Sequence, residues 1–190
     1  MVSIPVNNRG DNTVFRSGVV TDDKVCPMAT SAPRQTATEE DPFTSRFSWQ
    51  SGALAGFVAT VVTGLMTTLT DFGVVWRSVA GLYGLEEFLV AGWVAHLIHG
   101  TLFGVGFAAI LSDPGLYRLS DWAWKTVLAG VVYGLVLAVG GAGFIMPVWL
   151  ALVGSTAVPP APNVTASLLA WHLVYGVVLG GSFVFFDQRL

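Results

Sequence analysis

One nine-residue pattern with a histidine and two glycines occurs twice in this 190-residue chain. The first copy, H-L-I-H-G-T-L-F-G, covers residues 96–104, and the second, H-L-V-Y-G-V-V-L-G, covers residues 172–180. In each copy the histidine and both glycines are spaced i, i+4 and i+8, which places them on one face of a helix. Each copy therefore presents one imidazole and two bare backbone positions to the same neighbour. These motif residues are His96, Gly100, Gly104, His172, Gly176 and Gly180.

Two imidazoles on facing helices could bind haem b. Bis-histidine ligation needs opposed rings, with small residues that leave room for the macrocycle. His96 and His172 are the candidate axial ligands, and the motif glycines are the candidate pocket. A divalent metal site is not predicted, because the chain has three histidines and no carboxylate lies beside them in the apolar runs. The candidate lining residues for haem are Trp93, Phe103, Trp171 and Tyr175.

Two other interpretations of the same residues need no cofactor. A proton relay could run through His96, His99 and Tyr175, but it lacks a buried acid. The preferred interpretation is structural: a histidine between helices donates to a carbonyl or a threonine hydroxyl, which contributes about 0.6–2 kcal/mol in a membrane. The G-x-x-x-G spacing is then a helix-packing device.

The composition indicates a membrane protein. The chain is 53% hydrophobic and only 11% charged, where a soluble domain carries about a quarter charged residues. The net charge of −3 argues against a nucleic-acid partner. The single cysteine, Cys26, excludes a disulfide within one chain.

Four apolar runs predict four transmembrane helices, over residues 51–70, 88–111, 120–146 and 166–186. A run of about 20 apolar residues crosses roughly 30 Å of hydrocarbon. Ser120 or Asp121 could cap the third helix, and Pro147 should end or kink it. Residues 71–87 predict a short interfacial or re-entrant helix.

Three segments follow from this pattern. Residues 1–48 form a polar tail that we expect to be disordered and cytoplasmic. Residues 49–112 form a first transmembrane hairpin, and residues 113–190 form a cytoplasmic loop with a second hairpin. Small and hydroxylated residues follow one face of the first helix; a packing surface is preferred there over a permeation path. They are Gly52, Gly56, Thr60, Thr63, Thr67 and Thr70.

The two hairpins look like copies of one another. Leu54-Ala55-Gly56 matches Leu128-Ala129-Gly130, and V-W-x-x-x-x-G occurs at 75–81 and again at 148–154, before the histidine motifs. Each copy holds two crossings, so the repeat is parallel and its pseudo-two-fold axis lies along the membrane normal. The histidines then lie at similar depths, about 9–12 Å inside, and should converge at the bundle centre.

Basic residues predict the orientation in the cell membrane. Five of them flank the spans on the side of the tail, and only Arg77 lies on the opposite side, so both termini should be cytoplasmic. The five are Arg34, Arg46, Arg118, Lys125 and Arg189.

Several motifs resemble an uncharacterised family of small four-helix membrane proteins of haloarchaea. They are L-Y-G-L at 82–85, A-G-W-V-A-H-L-I-H-G at 91–100, M-P-V-W-L at 146–150, P-P-x-P-N at 159–163 and W-H-L-V-Y-G-x-V-L-G at 171–180. The resemblance covers residues 50–186 and implies four transmembrane helices with no established activity. Some family members carry the label histidine kinase. This chain shows no nucleotide-binding loop or soluble ATP-binding domain, so we expect no kinase activity.

The sequence thus favours a non-enzymatic integral membrane protein. The first hypothesis is an accessory or scaffold subunit that packs through its glycines, as part of a larger complex or a homodimer. The alternatives are a haem b electron-transfer module and a small transporter or channel. No cofactor is required by the first hypothesis.

Overall fold

A computed structural model describes residues 48–119 and 122–190 of the chain. Within them, four helices are long and apolar enough to cross a membrane: Trp49–Thr70 (α1), Leu89–Leu111 (α2), a third span Ala123–Leu152, and Ala166–Asp187 (α5). At 1.5 Å per residue, the 22 residues of α1 extend about 33 Å, enough for roughly 30 Å of hydrocarbon. The predicted all-α four-helix architecture is confirmed, and it is consistent with a multi-pass integral membrane protein.

The third span is one continuous helix made of three parts. It contains Ala123–Val136 (α3), a π-helical stretch Leu137–Ile145, and Met146–Leu152 (α4). At 30 residues it is longer than the other three spans. The predicted caps at residues 120 and 121 lie outside the described residues.

The helix does not end at Pro147, as one of the two predicted outcomes had it, but continues to Leu152. A proline has no N–H to donate to the carbonyl four residues earlier, here that of Gly143. That carbonyl accepts the backbone N–H of Asn163 at 2.8 Å instead. The hydrogen bond that the proline cannot make is thus replaced by one from the loop that leads to α5.

The connection between α1 and α2 contains the predicted short helix. It is π-helical and spans Val74–Val79. A Cβ added at Gly92, near the start of α2, would overlap the Val75 carbonyl, so the connection packs directly against that helix. The predicted disordered tail lies outside the described residues except for Ser48.

α1 packs against both α2 and α5, and α5 also packs against α3. α2 and α3 meet mainly through side chains, with the rings of Phe107 and Tyr133 5.5 Å apart. Phe107 also meets Phe183 of α5 edge-on at 5.6 Å. The core is built from small residues on α1 and larger ones on α2 and α5; its buried members include Ala55, Ala59, Phe107, Leu179 and Phe183.

Candidate functional site

The glycines of the first histidine motif lie against the backbone and short side chains of α1. A Cβ at Gly100 would overlap Thr60, and a Cβ at Gly104 would overlap the backbone of Gly52 and Gly56. Both motif glycines are buried. They allow α1 and α2 to approach closely, as small residues do in membrane helix pairs.

The second motif makes the same kind of contact with α3. A Cβ at Gly176 would overlap the Gly130 carbonyl, and one at Gly180 would lie 2.7 Å from the Thr126 carbonyl. The carbonyl of His172 also lies against Gly134. Both copies of the motif thus join the two helices of their own hairpin.

These contacts bear on the predicted haem pocket. The bare faces at Gly100, Gly104, Gly176 and Gly180, which were to accommodate the macrocycle, are occupied by neighbouring helices. A porphyrin is far wider than the gap between two helix backbones that touch at a glycine. The motif glycines therefore do not fit haem as pocket residues.

His96 lies between α2 and α1. Its ring meets Trp93 edge-on at 6.2 Å, and its Cδ2 would be 3.0 Å from a Cβ at Gly64. In the described part of the chain, Nε2 of His96 is the one buried side-chain nitrogen or oxygen without a hydrogen-bond partner.

His172 is held by its own helix. Its Nδ1 lies 2.9 Å from the Leu168 carbonyl, one turn earlier. A carbonyl only accepts, so Nδ1 carries the hydrogen. Among the described residues, the imidazoles of His96 and His172 share no hydrogen bond and no ring contact.

His99 and Tyr175, which occupy equivalent positions in the two motifs, have different partners. Nε2 of His99 lies 2.7 Å from the hydroxyl of Tyr83 in the connection before α2, and the two rings stack at 5.8 Å. The Tyr175 hydroxyl instead donates to the Gly100 carbonyl at 2.7 Å. No chain of hydrogen bonds links His96, His99 and Tyr175 in the described residues, although such a chain is what the relay hypothesis needs.

The threonines on α1 bond to carbonyls of their own helix. Thr60 donates to Gly56 at 2.6 Å, and Thr63 donates to Ala59 at 2.9 Å. Thr67 donates to Thr63 in the same way. Their hydroxyls are thus already paired, and all three threonines are buried.

Tyr133 on α3 forms a link between the two hairpins that was not predicted from the sequence. The Tyr133 hydroxyl donates to the Phe103 carbonyl of α2 at 2.9 Å. A tyrosine within an apolar span needs a partner for its hydroxyl, and this rule would have singled out Tyr133. The identity of that partner could not be read from the sequence.

The two connections that precede α2 and α5 are also joined, by contacts that the sequence did not suggest. The Glu86 carboxylate accepts the backbone N–H of Thr156 at 2.8 Å and its hydroxyl at 2.6 Å. Trp149 of α4, at the end of the third span, also donates its Nε1–H to the Leu82 carbonyl at 2.9 Å. Hydrogen bonds from the Ser155 and Thr156 side chains lower the pKa of Glu86 from its usual 4.5. We call this group of contacts the Glu86 clamp.

The charged groups near the clamp form one further pair. Arg77 and Glu87, both well exposed, approach to 4.0 Å. In the described ranges, no group of three or more histidine, cysteine, aspartate or glutamate side chains is placed to hold a metal ion.

The fold and the site together define a four-helix bundle of the membrane type, in which the hydroxyls inside the spans bond mainly to backbone carbonyls. Comparison of the chain with protein-family models, with curated proteins and with solved structures gives no match.

Proposed function

We propose that this protein is a non-enzymatic accessory or scaffold subunit of the cell membrane. The observation that carries the proposal is how the polar side chains inside the spans are used. Thr60, Thr63, Tyr133 and Tyr175 all donate to helix carbonyls. The two tyrosines join different helices, and the two threonines bond within α1. Use of these hydroxyls for backbone contacts supports a structural role over a chemical one.

The surface that meets a partner differs from the one expected at first. The motif glycines pack helices of the same chain, so they are not available to a second protein. The third span is the least covered of the four. Val136 and Ile145 on it are 62% and 68% exposed. A larger complex or a homodimer would use this outer surface.

The proposal is tested by isolating the protein from its native membranes in a mild detergent. We expect a complex of defined mass and stoichiometry, either with other subunits or with a second copy. Val136→Trp should break that complex, because it adds bulk to the third span. Leu69→Trp, at a more exposed position on α1 (86%), should leave it intact. A wild-type protein that runs as a monomer with lipid alone would contradict the proposal.

We also propose that the two hairpins arose by duplication. Gly56 packs on Gly100 in the first hairpin, and Gly130 packs on Gly176 in the second; these pairs correspond in the repeat. The contacts between the hairpins are not symmetric, since α1 packs closely on α5 while α2 meets α3 through side chains. Divergence of the copies, as at His99 and Tyr175, is the physical reason that we assign to this difference.

We propose cytoplasmic termini on the basis of charge. Arg118, Lys125 and Arg189 lie at the ends of spans on the tail side, and Arg77 lies at the other side. The single cysteine, Cys26, provides the test. A membrane-impermeant maleimide should label it only after the cells are permeabilised, and labelling of intact cells would contradict this orientation.

Haem b and transport remain the alternatives. The unpartnered Nε2 of His96 is the observation in favour of a ligand at the histidines. The filled glycine faces oppose haem, and the paired threonine hydroxyls oppose a polar path along α1. An absorption spectrum of the purified protein with a Soret band that is lost in His96→Ala would replace our proposal with the haem module. Solute flux in proteoliposomes that drops on Thr63→Val would replace it with transport.

A further inference from the structure

The start of the third span carries an ammonium group beside two tryptophans, and this arrangement leads to an inference that does not depend on the scaffold role. Nζ of Lys125 lies 5.5 Å from the ring centroid of Trp122 and 5.8 Å from that of Trp124. Both distances are within the roughly 6 Å over which an aromatic face attracts a cation. The two rings together therefore restrict the position of the ammonium.

The same two tryptophans indicate that this ammonium lies at the level of the lipid headgroups. Trp122 and Trp124 are 58% and 61% exposed, and tryptophan is enriched in membrane proteins at the boundary between hydrocarbon and water. The stem of a lysine can lie along apolar surface while its charged end reaches the polar layer. Lipid phosphates occupy that layer, so they are the anions closest to Lys125.

The beginning of α3 lies deeper than the end of α5. A Cβ at Gly180 would be 2.7 Å from the Thr126 carbonyl, and α5 continues from residue 180 to Asp187, which is about 10 Å at 1.5 Å per residue. Lys125, the neighbour of Thr126, is therefore recessed along the side of the bundle. A lipid that diffuses in the plane of the membrane reaches such a position from the side.

The ammonium of Lys125 has donors to offer such a lipid. Among the described residues, the one ion pair joins Arg77 and Glu87, so no carboxylate neutralises Lys125. An aromatic face attracts the charge but provides no oxygen acceptor. The three N–H groups of the lysine can thus donate to phosphate oxygens, in bonds that the two charges strengthen.

The charges at the two ends of the bundle favour an anionic lipid at this end. The described residues beside Lys125 include more basic than acidic groups, whereas acidic groups predominate at the opposite end. At the end of Lys125 they are Arg118, Lys125, Arg189, Asp113 and Asp187, and at the other end they are Arg77, Asp71, Glu86 and Glu87.

We propose that Lys125, positioned by Trp122 and Trp124, binds the phosphate of one anionic phospholipid at the start of the third span. The indole rings contact the lipid beside the phosphate, and the ammonium donates to its oxygens. A zwitterionic lipid binds less well, because its own cationic group competes with Lys125 for the phosphate.

The test uses the full-length protein in detergent, mixed with equal amounts of phosphatidylglycerol and phosphatidylcholine that have the same acyl chains. Native mass spectrometry identifies the lipids that stay bound, and we expect one phosphatidylglycerol to be retained in preference. Lys125→Gln should lower the affinity for phosphatidylglycerol about fivefold, the contribution of one basic residue at an anionic membrane surface. Lys125→Arg keeps the charge and should retain the lipid.

Arg189→Gln is the matched control, because Arg189 is also a cation over an aromatic ring at this end, 3.4 Å from the centroid of Phe185. It should leave the affinity unchanged, and an equal loss in both variants would overturn the assignment to Lys125. Should Lys125→Gln fail to fold, Trp124→Leu, which removes one of the two rings, should lower the affinity in its place.

Three further results would overturn the proposal. The first is equal retention of the two lipids by the wild-type protein. The second is a folded Lys125→Gln or Trp124→Leu variant that binds phosphatidylglycerol as tightly as the wild type. The third is displacement of the lipid by inorganic phosphate but not by chloride at the same ionic strength, which would identify a dissolved anion as the ligand.

Discussion

The hydroxyl of Tyr175 on α5 donates to the carbonyl of Gly100 on α2 over 2.7 Å, and so joins the two copies of the histidine motif directly. Tyr175 is only 6% exposed, so water does not compete for this bond. The acceptor is a helix carbonyl that uses its second lone pair. The residue that replaces His99 in the second copy therefore links one hairpin to the other.

We expect Tyr175→Phe to lower the free energy of unfolding by about 0.6–1.7 kcal/mol, the range for hydrogen bonds between membrane helices. The ring and its packing are kept, so the loss reports the hydroxyl. Unfolding in mixed detergent–SDS micelles measures it. Tyr83→Phe, whose hydroxyl lies in an exposed connection, should cost less. Equal losses for the two variants would show that the buried link between the hairpins stabilises the protein no more than an exposed hydrogen bond does.

Two glycines five residues apart on α5 predict opposite outcomes for the same substitution. A Cβ at Gly176 would meet the backbone of Gly130 and Val131, which cannot move aside, whereas a Cβ at Gly181 would have no atom within 4 Å. We expect Gly176→Ala to destabilise the protein by about 1–3 kcal/mol. Gly181→Ala should change stability by less than about 0.5 kcal/mol. Thermal unfolding in detergent compares them, and a tolerated Gly176→Ala would argue against close packing of α3 and α5.

The Glu86 clamp predicts a dependence of stability on pH. The folded state lowers the pKa of Glu86 from 4.5, through hydrogen bonds from Ser155 and Thr156. A carboxyl whose pKa falls on folding stabilises the protein above its unfolded pKa, and this contribution is lost as the pH drops through the folded value. The protein should therefore lose stability below about pH 4.5.

Glu86→Gln should reduce this loss of stability at acid pH, because an amide does not titrate in this range. Thermal midpoints measured from neutral pH downward test the prediction. Glu87→Gln is the matched control, since Glu87 is the next residue and its carboxylate pairs with the exposed Arg77, at 4.0 Å. If the loss of stability at acid pH is unchanged in Glu86→Gln but reduced in Glu87→Gln, then Glu87 and not Glu86 is responsible, and the prediction is wrong.

Substitution of Pro147 should change how strongly the amide of Asn163 is protected from hydrogen exchange. Pro147→Ala restores an N–H that can donate to the Gly143 carbonyl, where the Asn163 N–H now bonds. We expect the amide of Asn163 to exchange its hydrogen faster in this variant. Hydrogen exchange read by mass spectrometry measures this, with the amide of Leu169, bonded to Thr165 in α5, as the reference. Unchanged exchange at Asn163 would show that both donors share the carbonyl.

The architecture could be predicted because each span is a long apolar run with at most one charged residue, which lies near its end, and that pattern alone requires a helix in lipid. The start of α5 after Thr165 follows the same rule, and Thr165 caps it with its side chain. The continuation past Pro147 could not be predicted. It depends on a donor sixteen residues further along the chain, which only the folded loop brings close.

The partners of the motif residues were only partly predictable. Their spacing indicated one helix face and a role in packing, and the glycines of both copies do pack. It could not show that His99 bonds to Tyr83, or that Tyr175 reaches Gly100. Such contacts depend on how the helices are rotated and on how the connections fold back. Neither property can be inferred from the spacing of residues along the sequence.

The third span is 30 residues long, and the other three have 22 or 23. The other three helices match a bilayer of ordinary thickness. The third span is longer than that thickness, so it must tilt or thicken the lipid around it. Such a mismatch costs a fraction of a kcal/mol for each ångström. The thickness of the host bilayer thus acts on one helix of the four, and the protein should partition into thicker membranes when it has a choice.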